Sequence, residues 1–170
     1  NQIFWVCPLI EESKKLDHSS AVKKSEYLNK LFPNQVFLLH GKTTTEEKEM
    51  ILNKFLKNEF KILVSTTIIE VGIDFPNANV IIIENANKFG LSQLHQLRGR
   101  VGRGSKESSC ILMFKSNLSD NAKKRIGILK DSNDGFKISE EDMKLRGFGD
   151  ILGFKQSGIK NFKLADPVHN

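Results

Sequence analysis

The sequence has few cysteines and no long apolar run. Cys7 and Cys110 are its only cysteines, and both lie within apolar, strand-like segments. Thiols in such places are typically reduced core residues, so we expect neither a disulfide framework nor a metal site. No apolar stretch approaches the roughly 20 residues of a membrane-spanning helix, and Asn1 opens no signal-peptide pattern. We therefore expect a soluble, cytoplasmic protein.

Arginine is also scarce, and it is unevenly distributed. The chain carries 26 basic and 20 acidic residues, a formal charge of +6, yet arginine occurs at only five of its 170 positions. Three of the five lie between Arg98 and Arg103. The net charge suits a phosphate-rich partner but proves none, because basic surfaces often serve only solvation. The clustered arginines are more informative, since a guanidinium binds phosphate through two parallel hydrogen bonds and lysine does not.

What the sequence does contain is an alternation of strands and helices. Helices are predicted roughly from Ser20 to Phe32, after the capping box Thr44-x-x-Glu47, and from Leu91 to Arg98. The expected apolar residues are Ala21, Tyr27, Leu28 and Leu31 in the first helix and Met50, Ile51, Phe55 and Leu56 in the second. Apolar strands alternating with helices predict an α/β fold, with a mostly parallel sheet covered on both faces. Ligands of such sheets collect at the carboxyl ends of the strands. The predicted strands are Gln2 to Cys7, Val36 to Leu39, Ile62 to Val64, Val80 to Ile83 and Ser109 to Phe114.

The pattern changes after the last predicted strand. An amphipathic stretch from Asp120 to Leu129 is followed by a turn at Ser132 to Gly135 and a second short helix, for which Ser139-x-x-Asp142 is the expected cap. A Gly-rich loop from Arg146 to Gly153 comes next. We therefore expect two domains, an α/β lobe over residues 1–116 and a helical hairpin with a loop and tail over residues 117–170.

A first candidate site lies in the segment from Val64 to Pro76, which begins at a strand end. The hydroxyls of Thr66 and Thr67 can hold phosphate there, and Gly72 permits close approach of a ligand to the backbone. The carboxylate of Asp74 can accept a hydrogen bond from a ribose hydroxyl. A Thr-Thr pair at a strand end also occurs as a simple helix cap, so this segment alone does not fix a function.

The segment from Gln96 to Gly104, Gln-Leu-Arg-Gly-Arg-Val-Gly-Arg-Gly, is a more specific signal. Its glycines end the preceding helix and let the backbone approach a ligand. Arg100 and Arg103 lie three residues apart and can converge on one phosphate chain. An arginine so placed can neutralise a transferring phosphoryl group, an effect of about 10³ to 10⁵ in rate. An alternative is that these arginines only bind an RNA backbone.

These two segments, in this order, resemble motifs V and VI of the superfamily-2 helicases. The resemblance implies a RecA-like α/β lobe in which Gln96, Arg100 and Arg103 reach ATP. It implies nucleotide contacts from motif V and contacts to the tracked DNA strand from motif V and from a motif IV region. The nucleotide contacts are Gly72 and Asp74, and the DNA contacts are Thr66, Thr67, His40 and Gly41.

Within that superfamily the chain resembles the RecG family of branch-remodelling helicases. The residues that carry this likeness are Cys7 to Ser13, Phe89 to Arg98 and above all Asp142 to Gly158. The last segment resembles the translocation motif that RecG shares with the transcription-repair coupling factor, and it implies that Arg146 and Gln156 couple ATP turnover to DNA movement. The coupling factor usually has Asn at position 150 and Thr at position 71, where this chain has Asp150 and Val71. One departure from RecG is Phe148, where that family has Pro. Instead of taking part in coupling, the hairpin could serve only as a C-terminal cap that covers the sheet.

The resemblance implies the second motor lobe of an ATP-dependent DNA helicase that remodels branched DNA, such as stalled forks and Holliday junctions, in recombination and repair. The chain has no Gly-x-x-x-x-Gly-Lys-Ser/Thr loop and no Asp-Glu pair. ATP and Mg²⁺ would therefore be held mainly by an absent first lobe, and the isolated chain would be inactive. The implied partners are branched DNA and the first lobe and N-terminal DNA-binding domain of the same polypeptide, in a bacterial, nucleoid-associated enzyme. The alternatives are a coupling-factor motor lobe, an RNA helicase, or a nucleic-acid-binding module without motor chemistry.

Overall fold

The computed structural model describes residues 1–8, 14–66, 75–102, 107–114 and 116–146. It divides into two compact units. Unit 1 comprises residues 1–89 and 96–118, and unit 2 comprises residues 90–95 and 119–170, of which the described residues end at 146. No helix among the described residues is both long enough and apolar enough to cross a membrane.

Unit 1 is built on a five-stranded parallel sheet, as predicted. The strands are β1 (Gln2–Cys7), β2 (Val36–Leu39), β3 (Ile62–Thr66), β4 (Ala78–Ile83) and β5 (Ser109–Leu112). Their order across the sheet is β2-β3-β1-β4-β5, and every neighbouring pair is parallel. Parallel strands require crossovers, which is why a helix or loop follows each strand. The first strand is central, and the carboxyl ends of all five strands lie along one edge.

The two faces of the sheet carry different apolar clusters, because alternate residues of a strand point to opposite faces. One cluster contains Cys7, Val36, Ile62 and Val64 together with residues of helix α1 (Lys14–Leu31). The other is aromatic, with ring centroids 4.4 to 5.3 Å apart. Its members are Phe4, Phe37, Phe55, Phe60 and Phe75. Burial of both clusters fixes the strand register, since a shift by one residue would exchange the two faces.

A buried glutamine is hydrogen-bonded to the backbone of two residues of the aromatic cluster. The Gln2 side-chain amide donates hydrogen bonds to the carbonyl oxygens of Phe55 and Phe60, at 2.7 and 2.8 Å. Gln2 is only 1% exposed, and a buried amide without partners would destabilise the fold by about 1–3 kcal/mol. The paired carbonyls belong to the end of helix α2 (Thr45–Leu56) and the loop that follows it. The first strand therefore holds that helix end against the sheet.

Helix α1 differs from its prediction in start and in buried face. It begins at Lys14 rather than near Ser20. Of its expected apolar face, Ala21 and Leu28 are buried, whereas Tyr27 and Leu31 are more than half exposed. The buried stripe is Ala21, Ser25 and Leu28, whose spacing of four and three residues places them on one side of a helix. Small residues in that stripe let the helix approach the sheet closely.

Helix α2 begins at the capping box that the sequence predicts. The Thr44 hydroxyl accepts a hydrogen bond from the Glu47 N–H at 3.3 Å, and the Glu47 carboxylate accepts one from the Thr44 N–H at 3.2 Å. Of the four expected apolar residues, Ile51 and Phe55 are buried but Met50 and Leu56 are exposed. Leu52 is buried in their place.

Unit 2 contains the predicted helical hairpin, formed by α4 (Asp120–Asp131) and α5 (Gly135–Arg146), together with the first residues of α3 (Leu91–Arg98). The prediction that Ser139 caps the second helix is wrong, because α5 begins at Gly135 and Ser139 lies inside it. Asp134 is the capping residue. Its carboxylate accepts the Phe136 N–H at 2.9 Å, and its carbonyl accepts the Ile138 N–H at 3.0 Å. The domain boundary near residue 116 stays a prediction.

Candidate functional site

Two of the predicted site segments meet at the carboxyl ends of β2 and β3. These strands are neighbours in which Leu39 pairs with Ser65, so His40, which follows β2, and Thr66, the last residue of β3, lie at the same edge of the sheet. Between them is a cavity of about 170 Å³. Its lining residues are Leu39, His40, Gly41, Thr43, Thr45, Lys48, Ser65 and Thr66. The structure therefore brings together three predicted DNA-binding residues, His40, Gly41 and Thr66.

Thr66 lines this cavity and is itself buried. The residue is 4% exposed, and its Oγ1 has no hydrogen-bond partner within the described parts of the chain. The neighbouring Ser65 hydroxyl is occupied, since it donates to the Thr66 carbonyl oxygen at 2.7 Å. A buried hydroxyl without a partner is costly and uncommon, and it typically marks a site for water or ligand.

The cavity's rim is a tight turn that begins at His40. The Thr43 N–H donates to the His40 carbonyl at 3.0 Å, and the His40 N–H donates to the Thr43 hydroxyl at 3.1 Å. The Lys42 N–H lies 3.1 Å from His40 Nδ1 and donates to it. The neutral imidazole therefore carries its proton on Nε2. The turn fixes the side chain of His40 immediately before the first turn of α2.

Thr43, Thr45 and Lys48 were not among the residues predicted from the sequence. The signal that would have found them is the capping box, because it places the first turn of α2 directly after His40-Gly41. A residue at the start of that helix then faces the edge where β3 ends.

The described part of the second candidate segment, residues 96–102, contacts the chain from Phe75 to Ala78. The Phe75 N–H donates to the Arg100 carbonyl at 3.0 Å, and the Gly102 N–H donates to the Ala78 carbonyl at 3.0 Å. Phe75 and Val101 form a parallel bridge between these two bonds. The residue after Asp74 is thus held beside Arg100 by backbone contacts, which sequence spacing alone does not predict.

Gly102 is the glycine that this arrangement requires. It has φ of +77°, a region that L-residues with a side chain rarely occupy. A Cβ at this position would also collide with the side chain of Ser108.

Gln96 is exposed on the last turn of α3 and Arg100 is half-buried. Thr67, Gly72, Asp74, Arg103 and Gln156 lie outside the described residues, as does the side chain of Arg146.

Unit 2 joins α3 to the hairpin by a buried polar contact. The Ser92 hydroxyl donates a hydrogen bond to the Asp142 carboxylate, and Asp142 is 7% exposed. Nearby, a Cβ on Gly135 would lie 3.1 Å from Nε2 of His95. One side of α3 is therefore packed against the start and the middle of α5. The same helix continues to Gln96 and ends at Arg98.

Neither cysteine has the lowered pKa of a reactive thiol. Burial and the neighbouring Glu84 carboxylate raise the pKa of the Cys7 thiol to about 12, and burial also raises the pKa of Cys110. The Glu84 carboxylate accepts a hydrogen bond from the Cys7 thiol at 3.9 Å, pairs with Lys24 at 2.8 Å and accepts the Trp5 indole N–H at 3.1 Å. Both cysteines are free thiols. No cluster of His, Cys, Asp and Glu in the described residues has metal-binding geometry.

Comparison with known proteins decides the family. The model of the helicase conserved C-terminal domain matches residues 1–105, which cover most of unit 1. The chain belongs to the helicase C-terminal domain family. A second model, described as the C-terminal part of domain 3 of the ATP-dependent DNA helicase RecG, matches residues 132–169 of this helicase lobe.

The relatives of this helicase lobe confirm its resemblance to RecG. It is 53% identical over 99% of its length to the ATP-dependent DNA helicase RecG of Synechocystis, and 50% identical over 99% to that of Bacillus subtilis. It covers only 20% and 25% of those two proteins. A solved structure of RecG bound to a three-way DNA junction is similar over 96% of the lobe and 20% of the solved chain, with 46% identity and a TM-score of 0.74. The RecA-like α/β fold is thereby confirmed.

Proposed function

We propose that this chain is the second motor lobe of an ATP-dependent DNA helicase that remodels branched DNA. The observation that carries the proposal is the contact between the two motif-bearing segments, in which Phe75 is hydrogen-bonded to Arg100. It joins the chain that follows the DNA-binding end of β3 to the arginine segment that would face ATP. The likeness to a RecG structure solved on a three-way junction supports branched DNA as the substrate.

In the proposed motor, the residues divide into three groups. Thr66, Thr67, His40 and Gly41 contact the phosphates of one DNA strand. Gln96, Arg100 and Arg103 contact the nucleotide, together with Gly72 and Asp74. Arg146 and Gln156 couple nucleotide turnover to DNA movement.

The nucleotide chemistry requires a second half that this chain does not contain. ATP would supply the phosphoryl group that is transferred. A phosphate-cradling loop and an acidic pair on the first lobe of the same polypeptide would hold the ATP and Mg²⁺. The role of this lobe is to present guanidinium groups, whose charge favours the transition state over the bound ground state. A bacterial cytoplasmic, nucleoid-associated location stays a prediction.

The proposal is tested by the nucleic acid that stimulates ATP turnover of the full-length protein. We expect forked or junction DNA to stimulate hydrolysis strongly, and single-stranded RNA and linear duplex DNA to do so weakly. Preferential stimulation by RNA would favour an RNA helicase, and stimulation only by a stalled polymerase would favour the coupling factor. Salt-dependent DNA binding without any effect of ATP would favour a binding module and contradict the proposal.

A further inference from the structure

Phe136 is the most exposed of the large apolar side chains in the described part of the chain. It lies on the first turn of α5 and is 91% exposed, although phenylalanine is among the residues most often buried. Met143 follows two helical turns later on the same helix and is 41% exposed. Because a spacing of about two turns returns to the same side of a helix, the two side chains share one side of α5. We call this pair the α5 stripe.

The opposite side of α5 is already covered. Ile138 is 1% exposed, and Asp142 is 7% exposed and accepts a hydrogen bond from Ser92 of α3. At roughly 100° per residue, both positions lie on the far side of the helix from Phe136. The contact of α5 with α3 is therefore made from the far side and does not use the α5 stripe.

The α5 stripe has a fixed start and a charged border. The Phe136 N–H donates to the Asp134 carboxylate at 2.9 Å, which holds the first turn of the helix in place. Glu140 lies between the two members of the stripe along the helix and pairs with Lys144 at 3.1 Å. A small apolar surface with a polar border is typical of a site that another segment of protein covers.

The chain supplies its own segment for this surface. Residues 147–170 follow directly on α5 and belong to the same compact unit. The α5 stripe extends about 10 Å along the helix, a distance that roughly four extended residues span. Between positions 151 and 164 this tail carries the large apolar residues Ile151, Leu152, Phe154, Ile159, Phe162 and Leu164.

A tethered segment also has an advantage over a separate partner. Its effective concentration at the surface to which it is linked is on the order of millimolar. Gly147 and Gly149 lie between α5 and the apolar part of the tail, and glycine permits the backbone conformations that a reversal of the chain requires.

We propose that tail residues 151–164 turn back along α5 and cover the α5 stripe, with Phe136 as the main apolar contact. The segment between Arg146 and Gln156 would then be held at both ends, by the helix that precedes it and by the docked tail. Its role in coupling rests on the proposed function, whereas the docking itself does not.

The test is the rate at which a maleimide labels a cysteine placed in the α5 stripe of the full-length protein. In Met143→Cys, which keeps Phe136, we expect labelling about ten-fold or more slower than in Lys137→Cys. Lys137 is the matched control, because it is exposed on another side of the same helix. Peptide mass spectrometry identifies the labelled thiol, and labelling in denaturant corrects for intrinsic reactivity.

Substitutions on both sides of the contact identify the occupant. Added to Met143→Cys, Phe136→Ser should raise the labelling rate to that of the control, and so should the tail variant Phe154→Ser combined with Phe162→Ser. Circular dichroism should show an unchanged helix content, since Phe136 makes its contact from the exposed side of α5.

Two outcomes overturn the docking. Equal labelling of Met143→Cys and Lys137→Cys would show that the α5 stripe is open to solvent. Protection that persists in the double tail variant would assign the cover to another part of the polypeptide.

The consequence for coupling has its own readout. Phe136→Ser should lower fork unwinding several-fold more than junction-stimulated ATP turnover, and equal losses would overturn the coupling role of the docked tail. If junction DNA failed to stimulate ATP turnover in the unmodified protein, the motor proposal would fall, whereas slow labelling of Met143→Cys would still support the docking.

Discussion

The backbone N–H of Phe75 donates a 3.0 Å hydrogen bond to the carbonyl oxygen of Arg100. This bond connects the end of one motif-bearing segment to the other across 25 residues of sequence. It fixes the backbone of Arg100 beside Phe75. Displacement of Phe75 is therefore expected to move Arg100 as well, which would link the proposed DNA-binding strand ends to the arginines proposed to contact the nucleotide.

Arg100→Ala should abolish most DNA-stimulated ATP hydrolysis in the full-length protein. An arginine that neutralises the transferring phosphoryl group contributes about 10³-fold or more to the rate, and its backbone contact to Phe75 survives the substitution. The measurement is kcat with saturating junction DNA. Arg100→Lys should remain strongly impaired, because lysine lacks the planar fork. Lys88→Ala, which removes an exposed charge elsewhere in unit 1, should turn over normally. Near-full turnover in Arg100→Ala would refute its proposed role.

Gly102→Ala should disrupt the contact between the two segments. The substitution forces a side chain into the left-handed region, at about 1–2 kcal/mol, and drives a methyl group into Ser108. Hydrogen exchange of the full-length protein reports on it locally. We expect faster exchange at the amides of Phe75 and Gly102, which donate the two connecting bonds.

A second glycine provides the control for that experiment. Gly127 lies within α4, and a Cβ there would meet no atom within 4 Å. Gly127→Ala should therefore stabilise the hairpin by about 0.5–1 kcal/mol. Slower exchange in α4 with no change at Phe75 would agree with this. Identical behaviour of the two alanine variants would contradict the structural requirement at Gly102.

Ser92→Ala should uncouple branch movement from ATP turnover. It removes one partner from the buried Asp142 carboxylate, a loss of about 1–3 kcal/mol in the contact between α3 and α5. We expect fork unwinding to fall several-fold more than junction-stimulated ATPase activity. Ser139→Ala is matched to it, being an exposed serine on the same α5 that carries Asp142. Equal losses in unwinding and hydrolysis would count against coupling through this contact.

Cys7 should resist alkylation at pH 8, where Cys110 is the more accessible thiol. Its pKa of about 12 lies above its ordinary value of 9.0, so the folded protein keeps the thiol protonated where the unfolded chain would ionise. The stability contributed by that difference is present below pH 9 and is lost as pH rises towards 12. Peptide mapping after iodoacetamide treatment measures the order of labelling. Rapid modification of Cys7 in the native protein would show that the strand end is open to solvent.

The sequence determined the local elements and the types of residue at the site. Apolar runs bounded by turn residues predicted all five strands, because the strands of a parallel sheet are rich in apolar residues that pack on both of its faces. The capping box at Thr44 and Glu47 predicted the start of α2 for an equally local reason. The Gly-Arg pattern after Gln96 predicted a phosphate-binding segment, and the roles of its residues stay a prediction.

Only the tertiary structure decided which residues stand together. Strand order placed β2 beside β3, although the central strand of the sheet comes first in the sequence, and this order brought Lys48 to the same cavity as Thr66. The packing of α1 buries Ser25 rather than Tyr27. In α5, Asp142 accepts a hydrogen bond from Ser92, whereas the sequence predicted that Asp142 would belong to a helix cap with Ser139. These outcomes depend on contacts between residues distant in sequence, whose free energy is fixed by packing rather than by local propensity, so no pattern along the chain encodes them.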